Sequence, residues 1–259
     1  MIDTLLSIVR EAGELSFNYF GKLTEAQVEH KTEEVDLVTP VDREVEDLLR
    51  MRLHEAFPHV AFIGEEGDYA TDAADNGTAF VADPIDGTTN YVHSIPYYSV
   101  SVALRENSRL QAGAVYLPYF DIMYHAQRGK GAFRNDQPIR VSRTDSLIKS
   151  VACTGFACVR ERVKPNNIDL FIRALDRVRA MRNTGSAAID CCYVADGRFD
   201  LYWELNLKPW DVAAGTLIIK EAGGTVTNLS GEEEFNETES FLASNARVHE
   251  EFLKLSRAI

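Results

Sequence analysis

Asp83-Pro84-Ile85-Asp86-Gly87-Thr88-Thr89-Asn90 follows directly on the short apolar run Ala79-Phe80-Val81-Ala82. Asn76-Gly77 bounds that run upstream, so it reads as a buried strand. Pro84 fixes φ and lacks a donor, which predicts that the strand stops there. Gly87 permits a tight turn and lets a ligand approach main-chain N–H groups. Two carboxylates and two hydroxyls at a strand end make an oxygen-rich site suited to a hard divalent cation. Taken alone, Asp-x-x-Asp-Gly also reads as an ordinary turn. The rest of the chain decides between the two.

The 259 residues carry a formal net charge of −13. That balance argues against a nucleic-acid partner, which calls for a basic surface. It also opposes long-range attraction of an anionic substrate, so a phosphate substrate calls for a cation at the site. Met1-Ile2-Asp3-Thr4 has no basic leader, and no apolar run reaches membrane-spanning length. Cys153, Cys158, Cys191 and Cys192 lack C-x-x-C spacing, so zinc is not expected. Free thiols fit a cytoplasmic location.

Working outward, Ile2, Leu5, Leu6, Val9, Ala12, Ser16 and Phe20 predict a first helix ending near Gly21. Residues 31–36 are polar and read as a mobile loop. Thr39, Pro40 and Asp42 resemble an N-cap, a first-turn proline and a capping acid, opening a second helix that Pro58 ends. A short strand at 60–63 leads into Gly64-Glu65-Glu66-Gly67. Alternation at 98–104, 110–116 and 122–127 predicts an antiparallel meander. After residue 145 the pattern changes. Strands at 151–154, 199–203 and 225–227 alternate with helices at 165–179, 185–197, 209–223 and 246–257, suggesting a more parallel sheet. The two halves, about 1–145 and 146–259, are expected to act as a single unit.

Several further acids stand where they could join the first pair. Glu65 lies just past a strand, Glu204 follows the aromatic strand Leu201-Tyr202-Trp203, and Asp211 sits in the first turn after Pro209-Trp210. Each also has a plain reading: a solvated charge, an edge charge, and a complement to the helix dipole. Gly185-Ser186-Ala187-Ala188 opens a helix and could bind an anion or allow tight packing. Lys31 and Asp42 flank the polar loop. Lys208 reads as a solvated charge able to neutralise a phosphate. His93 reads as a satisfied structural histidine rather than a ligand.

Together these pieces resemble the inositol monophosphatase family over nearly the whole chain. The resemblance rests on Lys31 with Asp36-Leu37-Val38-Thr39 and Asp42, then Gly64-Glu65-Glu66, the 83–90 stretch, Gly185-Ser186-Ala187-Ala188, Glu204, and Trp210-Asp211-Val212-Ala213-Ala214-Gly215. It implies a layered αβαβα sandwich of mixed α and β structure. It implies a Mg²⁺ ion held by Glu65, Asp83 and the Ile85 carbonyl, a second held by Asp83, Asp86 and Asp211, and a weaker third near Glu65. Thr88 and Asp42 would activate water, with Glu65 and Lys31 in the catalytic set. The Gly87 and Thr88 N–H groups would hold phosphate. Asp86, Ser186, Ala187, Glu204, Lys208 and Asp211 would line the substrate side. Lithium sensitivity and a homodimer are further implications. Lys208 stands where animal relatives carry histidine, and Asn206 where glycine is common.

Hydrolysis of a phosphate monoester dianion requires accelerations up to ~10²¹. Paired metal ions meet that need by neutralising charge and acidifying water, and nothing in the constellation is an obvious nucleophile other than water. The expected activity is hydrolysis of inositol monophosphate or a similar sugar phosphate. The alternatives are a fructose-1,6-bisphosphatase or dual enzyme, a nucleotide 3′-phosphatase, and a regulatory partner of transcription or RNA machinery. Thr89-Asn90 argues against the nucleotide branch, which carries a lysine after Asp-Gly-Thr.

Overall fold

The computed structural model describes residues 1–24, 26, 28–30, 37–67, 77–160, 162, 164, 166–233 and 240–257. The polar loop 31–36, with Lys31 and Asp36, lies outside them, as does Pro165.

Helix α1 (Ile2–Tyr19) buries Leu5, Ile8, Val9, Ala12 and Ser16 along one stripe. β1 (Glu29–His30) and β2 (Leu37–Val38) pair antiparallel. α2 (Pro40–Ala56) starts with the predicted cap. Thr39 Oγ1 accepts the Val41 N–H at 3.2 Å, and Asp42 Oδ2 accepts the Thr39 N–H at 2.9 Å. Next come β3 (Ala61–Gly64), β4 (Thr78–Asp86), α3 (Thr88–Val92), β5 (Ser99–Glu106), β6 (Arg109–Leu117), β7 (Ile122–Gln127), β8 (Ala132–Arg134) and β9 (Gln137–Pro138). β3 to β9 form one sheet in chain order. β3 runs parallel to β4, and the other pairs are antiparallel, so the expected meander is present.

Pro84 does not end its strand. β4 continues to Asp86 because the ladder is bulged at that point. Asp83 pairs with Ser101 and Asp86 with Ser99, so three steps on β4 match two on β5. The proline's missing donor falls inside the bulge, where Asp83 Oδ1 accepts the Ile85 N–H at 3.0 Å. In a regular strand, residues three apart face opposite ways. The extra residue restores the parity and turns both carboxylates to the face shared by Ser99 and Ser101.

The second half contains β10 (Val151–Thr154), α4 (Ala157–Arg160), α5 (Ile168–Ala174), β11 (Ala180–Arg182), α6 (Ala187–Ala195), β12 (Leu201–Glu204), α7 (Pro209–Glu221), β13 (Thr225–Thr227), β14 (Phe241–Ser244) and α8 (His249–Arg257). Its sheet has the order β11-β10-β12-β14-β13. β10 is parallel to β11 and β12, but β14 is antiparallel to both its neighbours, so the sheet is mixed rather than mainly parallel. The helix expected over 165–179 is confined among described residues to Ile168–Ala174. Ile172 is 59% exposed, so its place in the apolar pattern did not mark a buried face.

Side-chain alternation sorts the strands into layers. Phe80, Ala82, Val100 and Val102 face α1 and α2, while Val81, Ala103 and Val115 face α6 and α7. On β12, Leu201 and Trp203 point outward to Phe252 and Leu253 of α8, and Tyr202 points inward. The layers therefore run helix, sheet, helix, sheet, helix. Two glycines allow the central layer to close. A Cβ on Gly113 would lie 3.0 Å from the Ala214 backbone, and one on Gly215 would strike the Cys191 Cβ. Among the described residues no helix is long and apolar enough to cross a membrane. All four cysteines are buried and free.

Candidate active site

A cleft of about 450 Å³ opens where the carboxyl end of β4 meets the starts of α6 and α7 and the ends of β10 and β12. That volume is in the ~300–1,000 Å³ range of small-molecule sites. Gly87, at φ 98°, turns the chain from β4 into α3 at the cleft wall. The left-handed region there suits glycine, and the Tyr97 and Gly185 carbonyls lie about 3 Å from where a Cβ would stand.

Asp83 is buried, and its carboxyl is hydrogen-bonded to Glu65. Burial, then the charges of Glu65, Asp86 and Asp211, hold it well above the usual carboxylate range. Asp211 lies in the first turn of α7, where its Oδ2 accepts the Lys208 N–H at 2.7 Å. Burial and the Glu65 charge raise it too. Asp86 is pushed up to about 6 by burial, against the pull of hydrogen bonds from Ser186, Ala188 and Ala187. Its Oδ1 accepts the Ala187 N–H at 3.1 Å and its Oδ2 the Ala188 N–H at 2.9 Å. The Ser186 hydroxyl also donates to it. The start of α6 thus meets an anion as well as packing closely, and that anion is the protein's own Asp86.

Asp42 sits at the start of α2 with its Oδ1 3.3 Å from Thr88 Oγ1, which also lies 3.1 Å from the Ile85 carbonyl. Glu204 stands at the end of β12. Its carboxylate accepts the Tyr202 hydroxyl at 2.7 Å and the Ala157 N–H at 3.2 Å. Asn206 beyond it takes φ 67°, a left-handed conformation that asparagine shares with glycine.

The structure brings Glu65, Asp83, Ile85, Asp86, Gly87, Thr88, Ser186, Ala187, Glu204 and Asp211 to one cleft. Asp42 reaches it through Thr88. Lys208 is not among the lining residues, and Lys31 lies outside the described residues. His93 is exposed rather than packed. Sequence reasoning missed Asp190, a buried wall residue held up to about 8 by burial, against hydrogen bonds from Thr184 and Cys153. It reads as one more polar position of a helix, and only the fold reveals that it faces inward.

Among the described residues, no three acids, imidazoles or thiols already converge on a single point. Asp83, Asp86 and Asp211 are each turned to a protein partner: the Ile85 N–H, the start of α6 and the Lys208 N–H. The donor set nonetheless fits a hard cation: it is all oxygen, and its members repel one another at close range.

The model of the inositol monophosphatase family matches residues 1–259. A putative Nus factor SuhB of Neisseria meningitidis serogroup B is 39% identical over 258 residues, covering 99% of this chain and 98% of that protein. A fructose-1,6-bisphosphatase/inositol-1-monophosphatase of Thermotoga maritima is 36% identical, covering 98% and 94%. The solved Thermotoga maritima IMPase superposes with a TM-score of 0.88 at 34% identity, covering 99% of this chain and 96% of that one. Matched along its full length by the family model and by relatives of the same layered fold, this chain belongs to the inositol monophosphatase family.

Proposed function

We propose that the protein is a Mg²⁺-dependent phosphomonoesterase that hydrolyses inositol monophosphate or a closely similar sugar phosphate. The observation that carries this reading is the burial of Asp83 against Glu65, Asp86 and Asp211, with the Thr88–Asp42 pair beside them. Glu65, Asp83 and the Ile85 carbonyl would hold one ion, and Asp83, Asp86 and Asp211 a second, with Glu65 also near a third. Bound cations would offset the charge of the phosphate dianion and acidify the attacking water.

The chain's own groups do the rest. Thr88 Oγ1 orients the water, and Asp42, 3.3 Å away, receives its proton through that hydroxyl. Lys31 completes the catalytic set. The Gly87 and Thr88 N–H groups cradle the phosphate. Glu204, fixed by Tyr202 and Ala157, accepts from a substrate hydroxyl. Ser186 and Ala187 bound the same side, and Lys208 adds positive charge at the rim. The same reading carries lithium sensitivity, a homodimer and a cytoplasmic location.

The name of the Thermotoga relative favours a dual enzyme as the second reading. The Neisseria relative is named a putative Nus factor; against the alternative of a regulatory partner of transcription or RNA machinery stands the full acid set. Phosphate release from inositol 1-phosphate, fructose 1,6-bisphosphate and a nucleoside 3′-phosphate, with Mg²⁺ and with EDTA, tests these. Turnover of inositol 1-phosphate that EDTA abolishes is expected. Far faster turnover of fructose 1,6-bisphosphate would overturn the substrate, and Mg²⁺-independent turnover would overturn the mechanism.

A further inference from the structure

Asp86 is held by the start of α6, and the turn that aims this helix start is itself held from two directions. From the β4 side, the Asn90 side-chain amide donates to the Thr184 carbonyl at 2.7 Å and to the Tyr97 carbonyl at 2.6 Å. Gly185 packs against that amide so closely that a Cβ there would lie 2.9 Å from Asn90 Nδ2. From the α6 side, the Thr184 hydroxyl donates to Asp190 Oδ1 at 2.7 Å and accepts the Ser186 N–H at 3.3 Å. The Cys153 thiol of β10 is hydrogen-bonded to the same Asp190. Ser186 then donates to Asp86. The result is a continuous strut, from Asn90 and Asp190 through Thr184 and Ser186 to Asp86, joining the two sheets at the cleft.

We infer that Asn90, Thr184 and Asp190 are positioning residues that fix the Asp86 carboxylate for cation binding. None of the three has to touch substrate for this role. The inference rests on the reading of Asp86 as a metal ligand. Groups of this kind behind a ligand typically change metal affinity by ~10–100-fold. Thr184 is the joint of the strut, since its hydroxyl serves both Asp190 and Ser186.

The test uses the full-length protein with Thr184→Val and Thr184→Ser. Mg²⁺ binding is measured by calorimetry, kcat and KM are measured across a Mg²⁺ titration, and each variant is crystallised. Thr184→Val is expected to weaken Mg²⁺ binding roughly 10-fold and to raise the half-activating Mg²⁺ by a similar factor. Substrate KM at saturating Mg²⁺ should stay near wild type, and Asp86 should rotate off Ala187 and Ala188. Thr184→Ser, which keeps the hydroxyl, should restore all of these. Asn90→Ala, acting on the same turn from α3, should shift Mg²⁺ binding in the same direction and serves if Thr184→Val does not fold. Wild-type Mg²⁺ affinity in Thr184→Val, or a serine variant as impaired as the valine one, would overturn the inference. A wild-type protein that binds no Mg²⁺ would overturn the proposed function instead. The crystal of Thr184→Val then decides the strut by itself: Asp86 unmoved refutes it, and Asp86 displaced supports it.

Discussion

At the scale of single residues, the site is a set of acids held close despite their repulsion. At Asp83, burial and three neighbouring charges all oppose ionisation. Asp83→Asn removes that charge while keeping the shape. Loss of activity to background is expected at any Mg²⁺ concentration, with a melting temperature in EDTA no lower than wild type. Near-normal kcat at saturating Mg²⁺ would contradict the proposed sharing of Asp83 between two ions. Asp190 makes a separate prediction. Its pKa is raised from 3.8 to about 8, so between those values the folded state holds a proton that the unfolded state releases. Its contribution to stability is full below about pH 4 and is lost as pH rises through about 8. Urea unfolding from pH 5 to 9 should show wild type losing stability relative to Asp190→Asn, which cannot titrate. Parallel curves would count against a protonated Asp190.

At the scale of elements, the seam between α6 and α7 offers a direct test of packing. Gly215 faces Cys191 with no room for a methyl group. Gly215→Ala should cost about 1–3 kcal/mol by forcing the helices apart, despite the better helix propensity of alanine. Equilibrium unfolding measures it, and an unchanged midpoint would show that the seam yields freely. Much at this scale was legible in advance. The cap at Thr39 and the strands at Val151–Thr154 and Thr225–Thr227 follow from local chemistry. The bulge in β4 did not, because a proline can either stop a strand or sit where the ladder skips a donor, and only the register with β5 distinguishes them. β14 and the antiparallel half of its sheet were missed because three apolar residues and a serine carry no mark of direction. At the site, the acids and hydroxyls of the 83–90 stretch were readable as an oxygen-rich cluster at a strand end, and they do line the cleft. The strut through Asn90, Thr184 and Asp190 was not, since its partners are 94 residues apart in one link and six in the other.

At the scale of the whole molecule, the cleft draws on both sheets and the helices between them, and Asp42 of the outer helix α2 reaches it through Thr88. Asp83 and Asp86 come from the larger sheet, Glu204 from the smaller, and Asp211 and the α6 start from between them. Helix α7 has a particular place in this arrangement, because it carries Asp211 in its first turn and buries Val212, Ala213, Ala214, Leu217, Ile218 and Ile219 behind it. With sheets on both flanks, that helix has no independent way to breathe. Asp211 consequently inherits the rigidity of the global fold. The entropy of aligning it is surrendered once, during folding, and is not lost again each time a ligand arrives.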